Sequence, residues 1–299
     1  MPSPRPLLAD THVYGFVIGA VYQATPRFNF TFEIPIQYGT RTTYFEHDFI
    51  NFRHLHTMKA SGVGDIKLTS NMWLLDPHRH NHGNVSLGLG VKVPTGNDHA
   101  MDISYRPTGP VLRPVDQAIQ PGNGGWGIVF DVDAFQKLYK RTYGYLQGSY
   151  ISEPRDTNGV EAPLGDIPAG LGKYDKLLRY DSVPDSYLGR IGVGYLLWPK
   201  YSLALTLGGR IEGVPPDDIL GSNEGALRTT GYSVYIEPGI TVSKGRLAIS
   251  ITGPVAVRRY VGTDAVFDRI IKHFHIPESE VGYAALADYL ITASVSIQF

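Results

Sequence analysis

Eleven segments of period-two alternation, joined by connections that switch between short and long, constrain this chain more than any other feature. Successive side chains on a strand point to opposite faces, so apolar residues at every second position describe a sheet with one apolar and one polar face. The segments are VYGFVIGAVYQ from Val13, FNFTFEIPIQY from Phe28, GVGDIKLTSNMWLL from Gly62, NVSLGLGVKVP from Asn84 and GWGIVFDVDAFQKL from Gly125. TYGYLQGSYI from Thr142, SYLGRIGVGYLLW from Ser186, SLALTLGGRIEGV from Ser202, TGYSVYIEPGITV from Thr230, RLAISITGPVAVRRY from Arg246 and DYLITASVSIQF to Phe299 complete the set. ATPR, YKR, PKY and SKG, with the slightly longer PHRHNHG, have the length of tight hairpins. The alternate connections, at about 39–61, 97–124, 155–185, 216–229 and 262–287, are long and carry most of the Asp and much of the Pro and Arg. Short turns on one rim and long loops on the other are the pattern of a transmembrane β-barrel. The expected fold is therefore all-β, one antiparallel up-and-down barrel over residues 1–299. A soluble β-sandwich offers no reason for its loops to segregate by length.

Composition agrees with this and excludes alternatives. No stretch approaches the roughly 18–20 apolar residues a membrane-crossing helix needs. A barrel strand shows lipid only every second residue, which suits a mean hydropathy of -0.12. Net charge is -1, from 27 basic and 28 acidic residues, so no basic footprint for nucleic acid exists. Cys is 0, which suits passage through an oxidising periplasm. MPSPRPLLADTH lacks the basic and apolar regions of a secretion signal, so such a signal is expected upstream of this sequence.

The first strand leads into a short, periplasmic-type turn, so it starts at the outer rim and leaves residues 1–12 on the extracellular side. Single-chain bacterial barrels have even strand numbers, so eleven segments predict about twelve strands in the full barrel, with the first one upstream. A partial strand at 40–45 is the alternative. Phe299 closes the alternating series Tyr289, Ile291, Ala293, Val295, Ile297, and resembles the terminal aromatic signature read by barrel-assembly machinery. That machinery and membrane lipid are the expected partners, and the bacterial outer membrane the expected location.

Alternation also assigns faces. Phe28, Phe30, Phe32, Ile34 and Ile36 point to lipid, as do Val85, Leu87, Leu89, Val91 and Val93, and Leu203, Leu205, Leu207 and Ile211. The charges fall on the other face: Lys67, Lys92, Arg190, Arg210 and Arg258 with Glu33, Asp65, Asp131, Asp133, Glu212 and Glu237. A lipid-facing Arg or Lys costs about 2–4 kcal/mol at mid-membrane, so such segregation is required of a barrel. These residues, with Trp73 and Tyr235, are the candidate lumen lining. Near-equal numbers of opposite charges predict a cross-braced, weakly selective lumen; the alternative is that they only brace the wall. Tyr22, Tyr38, Trp126, Tyr187, Trp198 and Tyr201 sit at strand ends, where aromatic girdles form.

GVGDIKLTSNMWLL, NVSLGLGVKVPTG and QPGNGGWGIVFDV, in that order, resemble the phenol meta-pathway transporter family of outer-membrane barrels, with its G-x-G-D strand, K-x-P-T-G strand end and Q-P-G-x-G segment. YQATPRFNFTFEIPIQY resembles that family's strand-turn-strand with a short T-D-R-type turn. The specific motifs lie within about 62–132, and the family's upstream strand is not in this sequence. The resemblance implies uptake of a small aromatic or hydrophobic molecule.

Enzymatic readings find less support. Neither a Ser–His pair on a lipid-facing rim nor an Asp–His site at the mouth is evident, although His54, His56, His273 and His275 lie in long connections. His78, His80 and His82 alternate in a turn and could hold Zn²⁺ or Cu²⁺, but adventitious binding is the expectation, and no cofactor or structural metal is expected. AVFDRIIKHF, from Ala265, has helical spacing and could cap the mouth. Two functions therefore stand: a diffusion channel for a small molecule, and a structural or adhesive barrel whose long loops bind a partner.

Overall fold

Two-residue turns at 26–27, 140–141 and 245–246 fold adjacent strands directly onto each other, and slightly longer ones at 74–82 and 199–202 do the same. With a turn that short, a strand has no partner within reach except its neighbour in sequence. The computed structural model, which describes residues 10–43, 55–106, 109–161, 179–221, 228, 230–263, 268, 272 and 286–299, shows the resulting meander. Its strands are β1 (Asp10–Thr25), β2 (Phe28–Thr43), β3 (His56–Val63), β4 (Ile66–Trp73), β5 (Gly83–Val93), β8 (Gly127–Tyr139) and β9 (Thr142–Ser152). β12 (Ser186–Trp198), β13 (Leu203–Val214), β14 (Gly231–Lys244), β15 (Leu247–Thr252), β16 (Val255–Val261) and β17 (Thr292–Ile297) follow. The order β1-β2-β4-β5-β8-β9-β12-β13-β14-β15-β17 is antiparallel throughout, with β3 also on β2 and β16 also on β14. β3 with β4, and β15 with β16, are each one long strand interrupted at Gly64–Asp65 and Gly253–Pro254, so eleven staves correspond to the eleven segments read from sequence.

The sheet curls as a half-barrel, and the outer edges of β1 and β17 are unpaired among the described residues. The third stave starts at His56 rather than Gly62, and 40–43 prolong β2 rather than forming a separate strand, which shortens the first long connection. Hairpins were also unforeseen in two long connections: β6 (Met101–Arg106) with β7 (Gly109–Pro114), and β10 (Thr157–Glu161) with β11 (Tyr180–Ser182). His54, His273 and His275, and all but two residues of the expected helix at 265–274, lie outside the described residues.

The convex wall is apolar. Phe30, Phe32, Leu87, Leu89, Leu205 and Leu207 are exposed on it, as assigned from alternation, and so are Leu68, Ile191, Ile236 and Ile240. An aromatic row crosses its upper rim in register, from Phe130 to Tyr150, Tyr187, Gly213, Tyr232 and Tyr260. At the lower rim Trp198 meets Tyr201 edge-on at 5.1 Å. Tyr187 to Trp198 is eleven residues along β12, which at about 3.3 Å per residue and about 40° of tilt spans roughly 28 Å, the height of an outer-membrane apolar band.

Candidate functional site

The buried part of the molecule lies on the concave side, under the connection 94–126. Its 3-10 turn Gln117–Ile119 is capped by the Asp116 carboxylate, which accepts from the Ala118 N–H at 2.8 Å. The turn pushes Ile119 against β2 and β3, where it is buried with Met58, Ala60, Ala100 and Val115. Gly39 makes room: a Cβ there would stand 2.7 Å from that of Ile119. Burying Ile119 and Val115 stabilises the inward position of this loop by about 1.5–3 kcal/mol each. Beside them Arg41 and Asp116 form a buried ion pair at 3.4 Å.

The three sequence motifs converge on the anchor of this loop. Asp65, of the G-x-G-D strand, accepts from the Gly96 N–H at 2.9 Å, the Asn123 N–H at 3.3 Å and Lys92 Nζ at 3.0 Å. Lys92 also meets Glu153 at 2.5 Å, and Asn123 donates from Nδ2 to the same Glu153 at 2.8 Å. Thr95 Oγ1 donates to the Gly64 carbonyl and accepts from the Ile66 N–H, each at 3.0 Å, stitching the bulge between β3 and β4. Gly96 and Gly122 let the two loop ends touch, since a Cβ on Gly122 would lie 2.7 Å from the Gly96 Cα. Gln120 clamps the loop's interior, accepting from the Ala100 N–H at 3.0 Å and donating to the Val115 carbonyl at 3.1 Å. Burial pushes the Glu153 carboxyl up to about 7, although Lys92 and Asn123 pull it down.

A second node ties the remaining loops. Asp185, fully buried, accepts from the Tyr150 hydroxyl at 2.8 Å and from the N–H groups of Glu153 and Ile219 at 2.6 and 2.9 Å. Asp218 accepts from the Asp185 N–H at 2.8 Å and pairs with buried Arg228. Nearby, burial and the Asp116 charge push Asp181 up to about 8.

Below the loop, charged side chains form a transverse ladder. Gln147 Nε2 donates to Asp133 at 3.1 Å and its Oε1 accepts from Arg190 at 2.7 Å. Arg190 pairs with Glu237, which faces Arg210 at 3.8 Å; Arg210 Nε donates to Glu212 at 3.0 Å, and the Tyr235 hydroxyl donates to Glu212 at 3.0 Å. On the other flank Lys67 pairs with Glu33 at 2.7 Å. Asp131 points to the same side, in register with Gly88 and Ser149. Toward the short-turn rim the concave face becomes aromatic: Trp73 meets Phe135 edge-on at 5.8 Å, and Tyr143 and Tyr145 follow in register on β9.

The structure thus puts Glu33, Lys67, Trp73, Asp131, Asp133, Arg190, Arg210 and Glu212 on the concave wall. It seals Asp65 and Lys92 beneath the loop and buries Tyr235 and Glu237 within the ladder, so these four brace rather than line an open path. Arg258 departs from expectation altogether. A bulge at Val257, between the pairs Tyr235–Ala256 and Val234–Arg258, inverts the alternation, and Arg258 joins Val234 on the convex face. Asn123, Gln120 and Glu153 were missed as functional residues, although the first two stand inside a recognised motif. Arg41, Gln147 and Asp185 carried no sequence signal beyond their polarity. His78, His80 and His82 sit in the exposed 74–82 turn, and among the described residues no three potential metal ligands converge.

An apolar convex wall between aromatic rims, a charged concave wall and short turns opposite long loops define a transmembrane antiparallel β-barrel. An outer membrane channel from Pseudomonas putida F1 shares this fold, with a TM-score of 0.50 over 85% of this chain and 79% of that one, at 16% identity. No family model matches the chain. No curated protein matches it either.

Proposed function

We propose that this chain is an outer-membrane channel for passive uptake of a small molecule, and that the molecule carries an aromatic or similarly flat apolar group. The observation that carries the reading is the inward loop 94–126, anchored by Lys92 over a ladder of paired charges, because it narrows the path without filling the aromatic end below. Paired charges hydrate a passage yet hold no strong net field, which favours neutral solutes. Trp73, Phe135, Tyr143 and Tyr145 supply the stacking surface at the exit. The fold shared with an outer membrane channel and the motifs of residues 62–132 support the same reading.

Liposome swelling tests it. Proteoliposomes should admit small phenols and benzyl alcohols faster than sugars of equal size, and Trp73→Ala with Phe135→Ala should remove that preference while the protein stays folded. Swelling no faster than empty liposomes with any solute would overturn the channel reading, and equal rates for aromatic and sugar solutes would overturn the aromatic one.

A further inference from the structure

On the outward positions of the strands from β2 to β17, the charged residues are Lys59, Lys244 and Arg258, all basic. Arg258 is the one that reaches into the aromatic row. It lies one pleat below the pair Tyr232–Tyr260, whose rings are 5.3 Å apart, and its guanidinium turns upward to rest 5.8 Å from the Tyr232 ring centroid. This is the posture of a side chain that keeps its stem in hydrocarbon and its charge at the headgroup level. Among the described residues no carboxylate pairs it, whereas its neighbour Arg259, on the concave face, is paired with Asp288. An exposed cleft of about 410 Å³ opens beside it, lined by Ala256, Val257, Arg258, Arg259, Val261 and Leu286.

A guanidinium held at the edge of the apolar band, with no carboxylate partner among the described residues, is open to an anion supplied by its surroundings. The groups at that height that are anionic, fork-shaped acceptors and anchored to acyl chains are lipid phosphates. We infer that Arg258, resting on Tyr232 beside Tyr260, is a binding site for the phosphate of an outer-leaflet lipid, with the cleft along β16 receiving the sugar or glycerol that bears it. Contact with the ring keeps the guanidinium at headgroup level, where its N–H groups meet a phosphate rather than lipid tails. Arg258 and Tyr232 stand on the wall facing lipid, so the phosphate contact is independent of what the lumen passes.

Native mass spectrometry of the full chain in detergent, titrated with a bis-phosphorylated diglucosamine lipid, reads this directly. Losing a charge-assisted bond pair is expected to weaken retention about 10-fold or more in Arg258→Gln. Lys244→Gln, an outward cation at the opposite rim, should change it less than about 3-fold. Tyr232→Leu, which keeps the cation and removes its support, should fall between them. The dephosphorylated lipid should bind wild type no better than the phosphorylated lipid binds Arg258→Gln. Folding of each variant is checked by heat-modifiable gel mobility, and Arg258→Lys, which keeps the charge, stands in should Arg258→Gln fail that check; it should fall below wild type because an ammonium lacks the fork. Unchanged retention in folded Arg258→Gln, or in Arg258→Lys where it stands in, would overturn the site. Displacement of the lipid by millimolar inorganic phosphate would overturn the lipid as its occupant. Aromatic uptake should be unaltered in Arg258→Gln, so this result and the channel reading fail separately.

Discussion

Replacing Lys92 with Met removes the one cation in a node that holds two carboxylates, Asp65 and Glu153, each less than a tenth exposed. Breaking a buried pair from one side typically costs about 3–5 kcal/mol, because the remaining charge is left desolvated. Glu153 tempers this loss: burial already pushes its carboxyl up to about 7, so without Lys92 it takes up a proton at neutral pH and stops repelling Asp65. The lower end, about 3 kcal/mol, is therefore expected. At about 1.36 kcal/mol per decade, that raises the open population of loop 94–126 by roughly two powers of ten. The penalty falls on the loop and not on the whole sheet, since Lys92 is the last wall position but one of β5 and its partners in the node come from loops or the β3–β4 bulge. Amide exchange of residues 96–123 should accelerate about 100-fold in Lys92→Met while β12 and β13 stay protected. Single-channel conductance should rise in the same variant, with bursts to a wider level. Unchanged exchange in that loop would show that the node does not hold it inward, and the constriction assigned to it would fall.

The concave wall tests charge balance. With Arg258 on the outside and Asp65, Lys92 and Glu237 buried, the charged lining is Lys67, Arg190 and Arg210 against Glu33, Asp131, Asp133 and Glu212, an acidic excess. Asp131→Asn with Asp133→Asn should therefore move the reversal potential in a salt gradient toward anions, whereas Arg258→Ala should leave it in place; the opposite pattern would reverse the two assignments. Gly39→Val should displace Ile119, whose Cβ is too near for any side chain, and raise conductance; an unchanged pore would show that the turn does not narrow it. Leu89→Arg, on the convex face, should cost about 2–4 kcal/mol in a folding titration into bilayers, and a neutral result would mean the faces are misassigned. Asp181 has its pKa raised from 3.8 to about 8, so its folded form holds a proton at neutrality. Its contribution is complete below about pH 4 and is lost as pH rises through about 8. Protection of the β10–β11 hairpin should fall over that window, and Asp181→Asn should flatten the profile; a parallel decline in the variant would place the pH dependence elsewhere.

Much of the wall was legible because a β-strand repeats every two residues and a hairpin turn leaves only one neighbour to pair with. From these rules follow the eleven staves, the lipid-facing Leu87, Leu89, Leu205 and Leu207, and the inward Asp133, Arg190 and Arg210. Alternation fails where a ladder takes in an extra residue, and Val257 does this, so everything beyond it changes face and Arg258 moves from lumen to lipid. The motifs of residues 62–132 were visible as motifs, yet what Asp65, Lys92, Gln120 and Asn123 do was not. Their partners come from separate stretches of chain, Glu153 among them, and only a curled sheet brings those stretches to one point. The period of a strand is local and can be read along the chain. Which charge meets which across the concave face depends on register, on bulges and on where the long loops fold, and these are decided by packing in three dimensions.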